Sequence, residues 1–188
     1  MKLTVKKYIN ARIGTANTNA PCQFYRSPGD TIDVADILNG TEIEGNSIWY
    51  KNKEDECFYW SGGVQDNLPA YFEEFGINVL WKETMGEGVK IFVIDSGFKN
   101  SDSLHISDSN TFSVIPGSDS VDRLGHGTLM SNIICGKNTA DLGIAIKTEI
   151  FSIKITDLST LPNESFLLQA LNKVASLIQP NDYCVIYL

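Results

Sequence analysis

The chain has 188 residues, of which 43% are hydrophobic and 20% charged, values typical of a globular protein with enough apolar material for a core. Its formal net charge is −8, with seven basic and nine acidic residues in residues 1–70 and eight and fourteen in residues 71–188. Neither part carries the basic patch that nucleic acid or an anionic membrane needs, so we expect neither as a partner.

The N-terminal residues 1–8 include basic side chains but never reach the apolar stretch of a signal peptide. No later segment approaches the length of a membrane span. The sequence therefore predicts a cytoplasmic protein.

The first sixty-odd residues are crowded with turn-forming sequences, including Asn39-Gly40. Between the turns lie short runs that are rich in β-branched or aromatic residues. Four of these runs follow one another at the spacing of a small antiparallel barrel: residues 31–38, 41–45, 47–51 and 57–60. The pattern predicts a small all-β barrel over residues 1–66.

This segment resembles a bacterial Src-homology-3-like domain in residues 37–43 (ILNGTEI), 48–51 (IWYK) and 58–64 (FYWSGGV). Members of that class commonly bind peptides or cell-wall polymers, so the resemblance implies a peptide or cell-wall ligand for the barrel. The segment contains a set of five aromatic residues, and those of them that are exposed would then line a ligand groove. Alternatively, most of the five rings fill the barrel core. The set comprises Trp49, Tyr50, Phe58, Tyr59 and Trp60.

An inhibitory prodomain is the competing interpretation of residues 1–70. Such prodomains alternate strands with two amphipathic helices, and residues 1–64 contain no helical apolar stripe of adequate length. We therefore favour the barrel, followed by a connector over residues 67–80.

The pattern changes in the third part, residues 81–188. A nearly continuous apolar run over residues 89–94 predicts a strand buried on both faces, as in a parallel sheet. Residues 148–155 and 183–188 predict two further strands, and residues 163–178 predict a helix between them. This order predicts an α/β domain with a parallel sheet.

The four cysteines lie far apart in the sequence and lack the C-x-x-C spacing of zinc or redox sites. Cys135 and Cys184 lie in apolar runs, which predicts small core residues. Whether Cys22 and Cys57 form a disulfide stays open. We predict no metal site and no cofactor.

Asp95 follows the apolar run directly and precedes Ser96-Gly97. In open parallel sheets, ligands bind beyond the carboxyl ends of the strands, which indicates a functional aspartate. The alternative is a structural aspartate that caps the turn through nearby backbone amides.

His126 lies between two glycines in residues 125–131 (GHGTLMS), before an apolar helical stretch that ends at Gly136. The glycines give close access to the ring, and the pattern places the histidine at the start of a helix. We predict that His126 is a general base and Asp95 its partner.

Residues 78–188 resemble the subtilases, the subtilisin-like serine proteases, in several segments that occur in the family's order. They are residues 81–88 (WKETMGEG), 89–97 (VKIFVIDSG), 125–131 (GHGTLMS), 143–145 (GIA) and 150–154 (IFSIK). The order aspartate, histidine, serine distinguishes this family from other serine hydrolases. The resemblance implies a truncated subtilisin-like fold and a serine endopeptidase in which Asp95 orients His126 and His126 deprotonates a serine.

The serine that the resemblance requires is missing from the sequence. It should follow Gly-Thr at the start of a helix, but each Gly-Thr pair here precedes Ala16, Glu42 or Leu129. The family's oxyanion-hole asparagine should follow a strand such as residues 183–188. Ser96 and Ser131 adjoin the two motifs outside any nucleophile context. We expect this chain to be inactive alone and to be part of a longer or split protease acting on peptides or proteins.

Two alternatives from other functional classes remain. The first is a non-catalytic pseudoprotease or a peptide- or glycan-binding module whose α/β part is a scaffold. The second is an unrelated doubly wound domain that uses Asp95 in phosphoryl or metal chemistry. A dinucleotide or phosphate loop is not expected, because residues 86–88 (GEG) precede their strand rather than follow it.

Overall fold

The computed structural model describes residues 2–65, 70–138 and 142–188, and residue contacts divide the chain into two units, Met1–Thr84 and Met85–Leu188. Residues 66–69, which contain the end of the predicted barrel and the start of the predicted connector, lie outside the described residues. The predicted domain boundary between residues 80 and 81 stays a prediction.

The first unit contains one curled antiparallel half-barrel sheet of seven strands, in the order β3-β2-β6-β5-β4-β1-β7. The strands are β1 (Lys2–Val5), β2 (Ile9–Arg12), β3 (Cys22–Arg26), β4 (Thr31–Ile43), β5 (Asn46–Asn52), β6 (Phe58–Trp60) and β7 (Val64–Gln65). No α-helix lies among residues 2–65. The predicted all-β character of this segment is thereby confirmed.

Strand β4 corrects the predicted turn at Asn39-Gly40, because it continues through this pair to Ile43. The reversal comes at Glu44 and Gly45, which have φ angles of 52° and 76°. A Cβ on Gly40 would lie 2.2 Å from the carbonyl oxygen of Ala16. Gly40 therefore permits a close backbone approach within an irregular strand rather than a turn.

The aromatic rings of the first unit divide into two groups. Trp49, Tyr50 and Tyr59 are buried in the core, whereas Phe58 and Trp60 are half-buried. Most of these rings therefore fill the interior of the sheet, as the alternative interpretation predicts.

Two short helices follow the sheet, α1 (Ala70–Glu74) and α2 (Ile77–Leu80). The ring of Trp81 packs edge-on against that of Phe72, and its carbonyl oxygen accepts a hydrogen bond from Asn39 Nδ2 at 2.9 Å. Trp81 is therefore part of the core of the first unit.

The second unit is built on a four-stranded parallel sheet in the order β11-β8-β10-β9. Its strands are β8 (Val89–Asp95), β9 (Thr111–Ser113), β10 (Glu149–Lys154) and β11 (Tyr183–Tyr187). Phe92 and Ile94 pack in one apolar cluster and Ile91 and Val93 in another, so β8 is buried on both faces as predicted.

Two longer helices complete this unit, α3 (His126–Cys135) and α4 (Glu164–Leu177). The side chain of Asn163 caps α4 by accepting a hydrogen bond from the backbone N–H of Phe166 at 3.0 Å. Ala170 and Val174 are buried in the cluster that contains Phe92, which confirms the predicted apolar face of this helix. None of the described helices is long and apolar enough to cross a bilayer.

Strand β11 lies at one edge of the described sheet, and most of its side chains are exposed. Tyr183 is 78% exposed and Val185 52%. The prediction of a buried Cys184 is wrong because β11 pairs with β8 on one side only and its apolar residues lack cover, whereas Cys135 is buried as predicted. Cys22 and Cys57 are free thiols.

Candidate active site

The structure brings together the two predicted site residues. Nδ1 of His126 lies 2.7 Å from Oδ2 of Asp95. The aspartate side chain is 10% exposed and the histidine side chain 58%. A carboxylate only accepts, so the neutral ring carries its proton on Nδ1 and keeps a lone pair on Nε2. Among the described residues Nε2 has no hydrogen-bond partner, which leaves it free to accept a proton.

Two glycines allow the start of α3 to approach the end of β8. A Cβ on Gly127 would lie 2.3 Å from the carbonyl oxygen of Gly97 and 3.2 Å from Cβ of Asp95. Gly97 has a φ of 103°, and a Cβ there would lie 2.4 Å from the carbonyl oxygen of Ser120. Gly97 in the aspartate motif and Gly127 in the histidine motif therefore allow the ring to come within reach of the carboxylate.

The first turn of α3 is capped by side chains from other segments. Its N-cap residue, Gly125, has a φ of 87° and no side chain to accept a hydrogen bond. Instead the N–H of Gly127 donates to Ser96 Oγ at 2.9 Å, and the N–H of Thr128 donates to Asp122 Oδ2 at 2.9 Å. Helix N–H groups that would otherwise lack partners are thereby satisfied, and His126 is held in place.

Asp122 is the central acceptor of this arrangement and was not predicted. It is 5% exposed and accepts five hydrogen bonds, from the N–H groups of Leu124, Gly125 and Thr128 and from the hydroxyls of Ser96 and Thr128. Burial alone would raise the pKa of Asp122, but the hydrogen bonds, those from Thr128 foremost, hold this pKa below its ordinary value. The local signal was available: an aspartate three residues before the Gly-His pair is suited to cap a helix start.

The two serines that adjoin the motifs are bonded elsewhere. Ser96 is 1% exposed, and its hydroxyl donates to Asp122 Oδ1 at 2.8 Å. Ser131 is fully buried, and its hydroxyl donates to the carbonyl oxygen of Gly127 at 2.8 Å. In the described part of the chain no serine hydroxyl donates to His126. Both hydroxyls therefore have structural roles.

Lys154 is a fully buried cation at the end of β10, where its Cα pairs with that of Asp95. Its Nζ lies 2.6 Å from Asp157 Oδ2 and donates to the carbonyl oxygen of Val121 at 2.9 Å. The ion pair holds the pKa of Asp157 below its ordinary value. Lys154 thus fixes the backbone directly before Asp122, and no sequence signal identified it.

Replacing Lys154 by methionine is expected to lower the free energy of unfolding of the second unit by about 2 kcal/mol, because the buried cation loses its ion pair with Asp157 and its hydrogen bond to Val121. Urea unfolding followed by far-ultraviolet circular dichroism measures this, since the longer helices lie in that unit. Lys99→Met is the control: Lys99 is exposed, so its replacement should change stability by less than about 0.5 kcal/mol. Equal effects of the two substitutions would contradict a structural role of the buried cation.

A metal centre finds no support in the described residues, which contain no group of three histidine, cysteine or acidic side chains arranged to hold an ion. The second histidine of the chain, His105, is exposed. The candidate site rests on the contact between Asp95 and His126, an acid and base pair whose histidine side chain is exposed.

Comparison with known proteins gives partial matches, and no family model matches the chain. It is 32% identical over 149 residues to subtilisin-like protease SBT6.1 of Arabidopsis thaliana, covering 78% of this chain and 14% of that protein. It is 27% identical over 139 residues to alkaline protease 1 of Aspergillus clavatus, covering 70% of this chain and 32% of that protein.

One solved structure with a likeness to this chain is that of the Clostridium perfringens CspB protease, at 20% identity and a TM-score of 0.47 over 58% of this chain and 31% of that one. The chain thus spans about a seventh and a third of the length of the two curated relatives. These relatives, at modest identity, support a subtilase-like region within the chain.

Proposed function

We propose that the second unit is the Asp and His portion of a subtilisin-type serine endopeptidase. The observation that carries the proposal is the 2.7 Å contact between His126 Nδ1 and Asp95 Oδ2, with Nε2 left open on an exposed ring. The similarity to named proteases supports the proposal. The match to the Arabidopsis protease covers 78% of this chain, and a stretch of that length includes both Asp95 and His126 wherever it begins.

In this mechanism Nε2 of His126 removes the proton of a serine hydroxyl as the serine oxygen attacks the carbonyl carbon of a peptide bond. The ring becomes an imidazolium, which the Asp95 carboxylate stabilises through Nδ1–H. The same proton then passes from Nε2 to the leaving amine as the carbon–nitrogen bond breaks. Water hydrolyses the acyl-enzyme in a second cycle, with His126 again the base.

The nucleophilic serine, in this proposal, lies on polypeptide outside these 188 residues, in cis or on another chain. Two observations support this: no Gly-Thr-Ser sequence is present, and Ser96 and Ser131 have other hydrogen-bond partners. The exposed apolar edge of β11 is a third, because further sheet would cover it. The substrates are peptides or proteins, and the predicted cytoplasmic location belongs to the same proposal.

The experiment combines an intact-mass measurement on the natural protein with a peptidase assay. We expect the natural assembly to exceed the 20.8 kDa of this chain and to cleave a casein substrate, whereas the 188-residue chain alone should not. Hydrolysis by the isolated chain, abolished by His126→Ala, would contradict an external serine. A natural protein of 20.8 kDa that forms no complex and has no activity would favour the pseudoprotease alternative.

We propose a second, non-catalytic role for the first unit as a module that binds a peptide or glycan. Trp60, which is half-buried, and Tyr8, which is 73% exposed, favour this role because neither aromatic residue is fully used by the core. Equilibrium binding to peptide and glycan arrays tests this role. If the first unit bound neither peptides nor glycans, that result would count against it.

A further inference from the structure

A small concave pocket of about 200 Å³ lies on the first unit, beside β2 and the end of β6. Lys7, Tyr8, Arg12, Thr18 and Trp60 are among the residues that line it. Its volume is below that of sites for drug-sized ligands, which begin at roughly 300 Å³. The pocket is therefore suited to one or two side chains of a larger ligand rather than to a cofactor.

The pocket is basic on a protein whose net charge is −8. Residues 1–29 contain five basic residues and no acidic one, and none of the described residues that line the pocket is acidic. Within the described residues neither Lys7 nor Arg12 forms an ion pair. Arg12 Nη1 donates to the carbonyl oxygen of Ala20 at 2.7 Å, which fixes the guanidinium but neutralises none of its charge. An arginine held in this way is prepared to bind a carboxylate.

The indole of Trp60 forms an apolar wall of the pocket. Its Nε1 donates to the carbonyl oxygen of Asn46 at 3.0 Å, and the ring lies so close to Gly62 that a Cβ there would be 2.3 Å from it. Lys7 Nζ lies 4.9 Å from the ring centroid. The indole is therefore fixed in position while one part of it stays exposed.

We infer that this pocket binds a carboxylate of a peptide, with the guanidinium of Arg12 and the ammonium of Lys7 as its partners and the indole of Trp60 against the adjacent apolar side chain. The carboxylate belongs either to a glutamate or aspartate side chain or to a peptide C-terminus. Two cations in a pocket of this size match one carboxylate, whereas nucleic acid needs a basic surface along its backbone. The inference deepens the binding role proposed for the first unit by naming the ligand class and the site.

The experiment is a titration of the ¹⁵N-labelled chain followed by amide and indole resonances. All three tryptophans, Trp49, Trp60 and Trp81, lie in the first unit, and the indole N–H of Trp60 reports directly on the pocket. Three pentapeptides serve as probes. The first has a glutamate flanked by phenylalanine and both ends blocked, and the second is the same peptide with glutamine in place of glutamate. The third is a glutamine peptide whose C-terminus is free. N-acetylglucosamine oligomers are the glycan probe.

We expect saturable shifts of the Trp60 indole with the glutamate peptide, the free C-terminal peptide or both, and at least tenfold weaker binding of the fully blocked glutamine peptide. The response of the two carboxylate peptides distinguishes side-chain from terminal recognition. Equal binding of the glutamate and glutamine peptides would overturn the inference, as would a glycan that shifts Trp60 more strongly than either carboxylate peptide.

Substitutions locate the carboxylate site. Arg12→Ala should weaken binding about tenfold, and Arg12→Lys should weaken it less because the charge remains without the planar guanidinium. Lys2→Ala, which removes an exposed charge from the same basic segment but not from the pocket, is the matched control and should leave affinity nearly unchanged. Equal losses in the Arg12→Ala and Lys2→Ala variants would indicate diffuse charge attraction and overturn the assigned site. Peptide binding that shifts only signals remote from Trp60 would also overturn the assigned site. It would leave the proposed binding role of the first unit intact.

Discussion

In the serine endopeptidase that we propose, replacing His126 by alanine is expected to lower peptide-bond hydrolysis by about 10⁴-fold or more, with little change in KM. The physical reason is the position of Nε2, which is the open atom of a ring held at Nδ1 by Asp95 at 2.7 Å. Without the imidazole, no described group near Asp95 can take the serine proton and return it to the leaving amine. Steady-state kinetics with a chromogenic peptide measures the loss.

His105→Ala is the matched control for this experiment. His105 is the only other histidine in the sequence, is exposed, and should leave kcat within about twofold because it belongs to no part of the site. Asp95→Asn should also lower kcat strongly, since an amide in place of the carboxylate allows the ring to present the wrong nitrogen. Comparable activity in wild type and the His126→Ala variant would contradict the assignment of the base.

Replacing Asp122 by asparagine is expected to lower the free energy of unfolding of the second unit by about 3 kcal/mol. The buried carboxylate accepts five hydrogen bonds, and an amide offers one acceptor oxygen and places its NH₂ against existing donors. Urea unfolding at neutral pH, followed by far-ultraviolet circular dichroism, measures the change.

The same substitution should alter the pH dependence of stability. Hydrogen bonds hold the pKa of Asp122 below its ordinary value in the folded protein, so the unfolded chain takes up the proton first as the pH falls. The stability that the Asp122 carboxylate contributes is therefore complete above about pH 4 and is lost as the pH falls through the folded-state pKa of Asp122. Asp122→Asn should reduce the acid slope without removing it, because Arg123 lowers the pKa of Asp119 to about 2 and Lys154 lowers that of Asp157.

Asp119→Asn is the control for Asp122→Asn, because it makes the same chemical change three residues earlier. The Asp119 side chain is 52% exposed and pairs with Arg123 on the surface, so its loss should cost much less stability than the loss of Asp122. A loss at Asp122 no larger than that at Asp119 would show that the buried carboxylate does not fix the helix start.

The elements that the sequence predicted well are those in which apolar residues form a long regular pattern along the chain. Strand β8 was evident from its unbroken apolar run, and α4 from apolar residues at helical spacing after Asn163. Strand β9 has only three residues, all partly buried, and too short a pattern to recognise. The Asn39-Gly40 pair misled because a glycine needed for a close backbone approach has the same sequence appearance as a turn.

The candidate site was predictable in its chemistry but only partly in its support. Asp95 and His126 were identifiable from motifs that report a strand end and a helix start. The local bonds by which Asp122 caps the helix start had a sequence signal, but the bond that it accepts from Ser96 and the bond that Lys154 donates to Val121 join distant segments. Local sequence patterns do not specify such pairings, because they depend on the register in which β10 lies beside β8.

The most direct test of the proposed Asp and His portion is labelling of the natural assembly with a fluorophosphonate probe, followed by peptide mapping of the modified serine. We predict one labelled serine, located outside these 188 residues, and loss of labelling in the His126→Ala variant. Labelling of Ser96, Ser131 or another serine within this sequence, or labelling that persists without the His126 imidazole, would contradict the account.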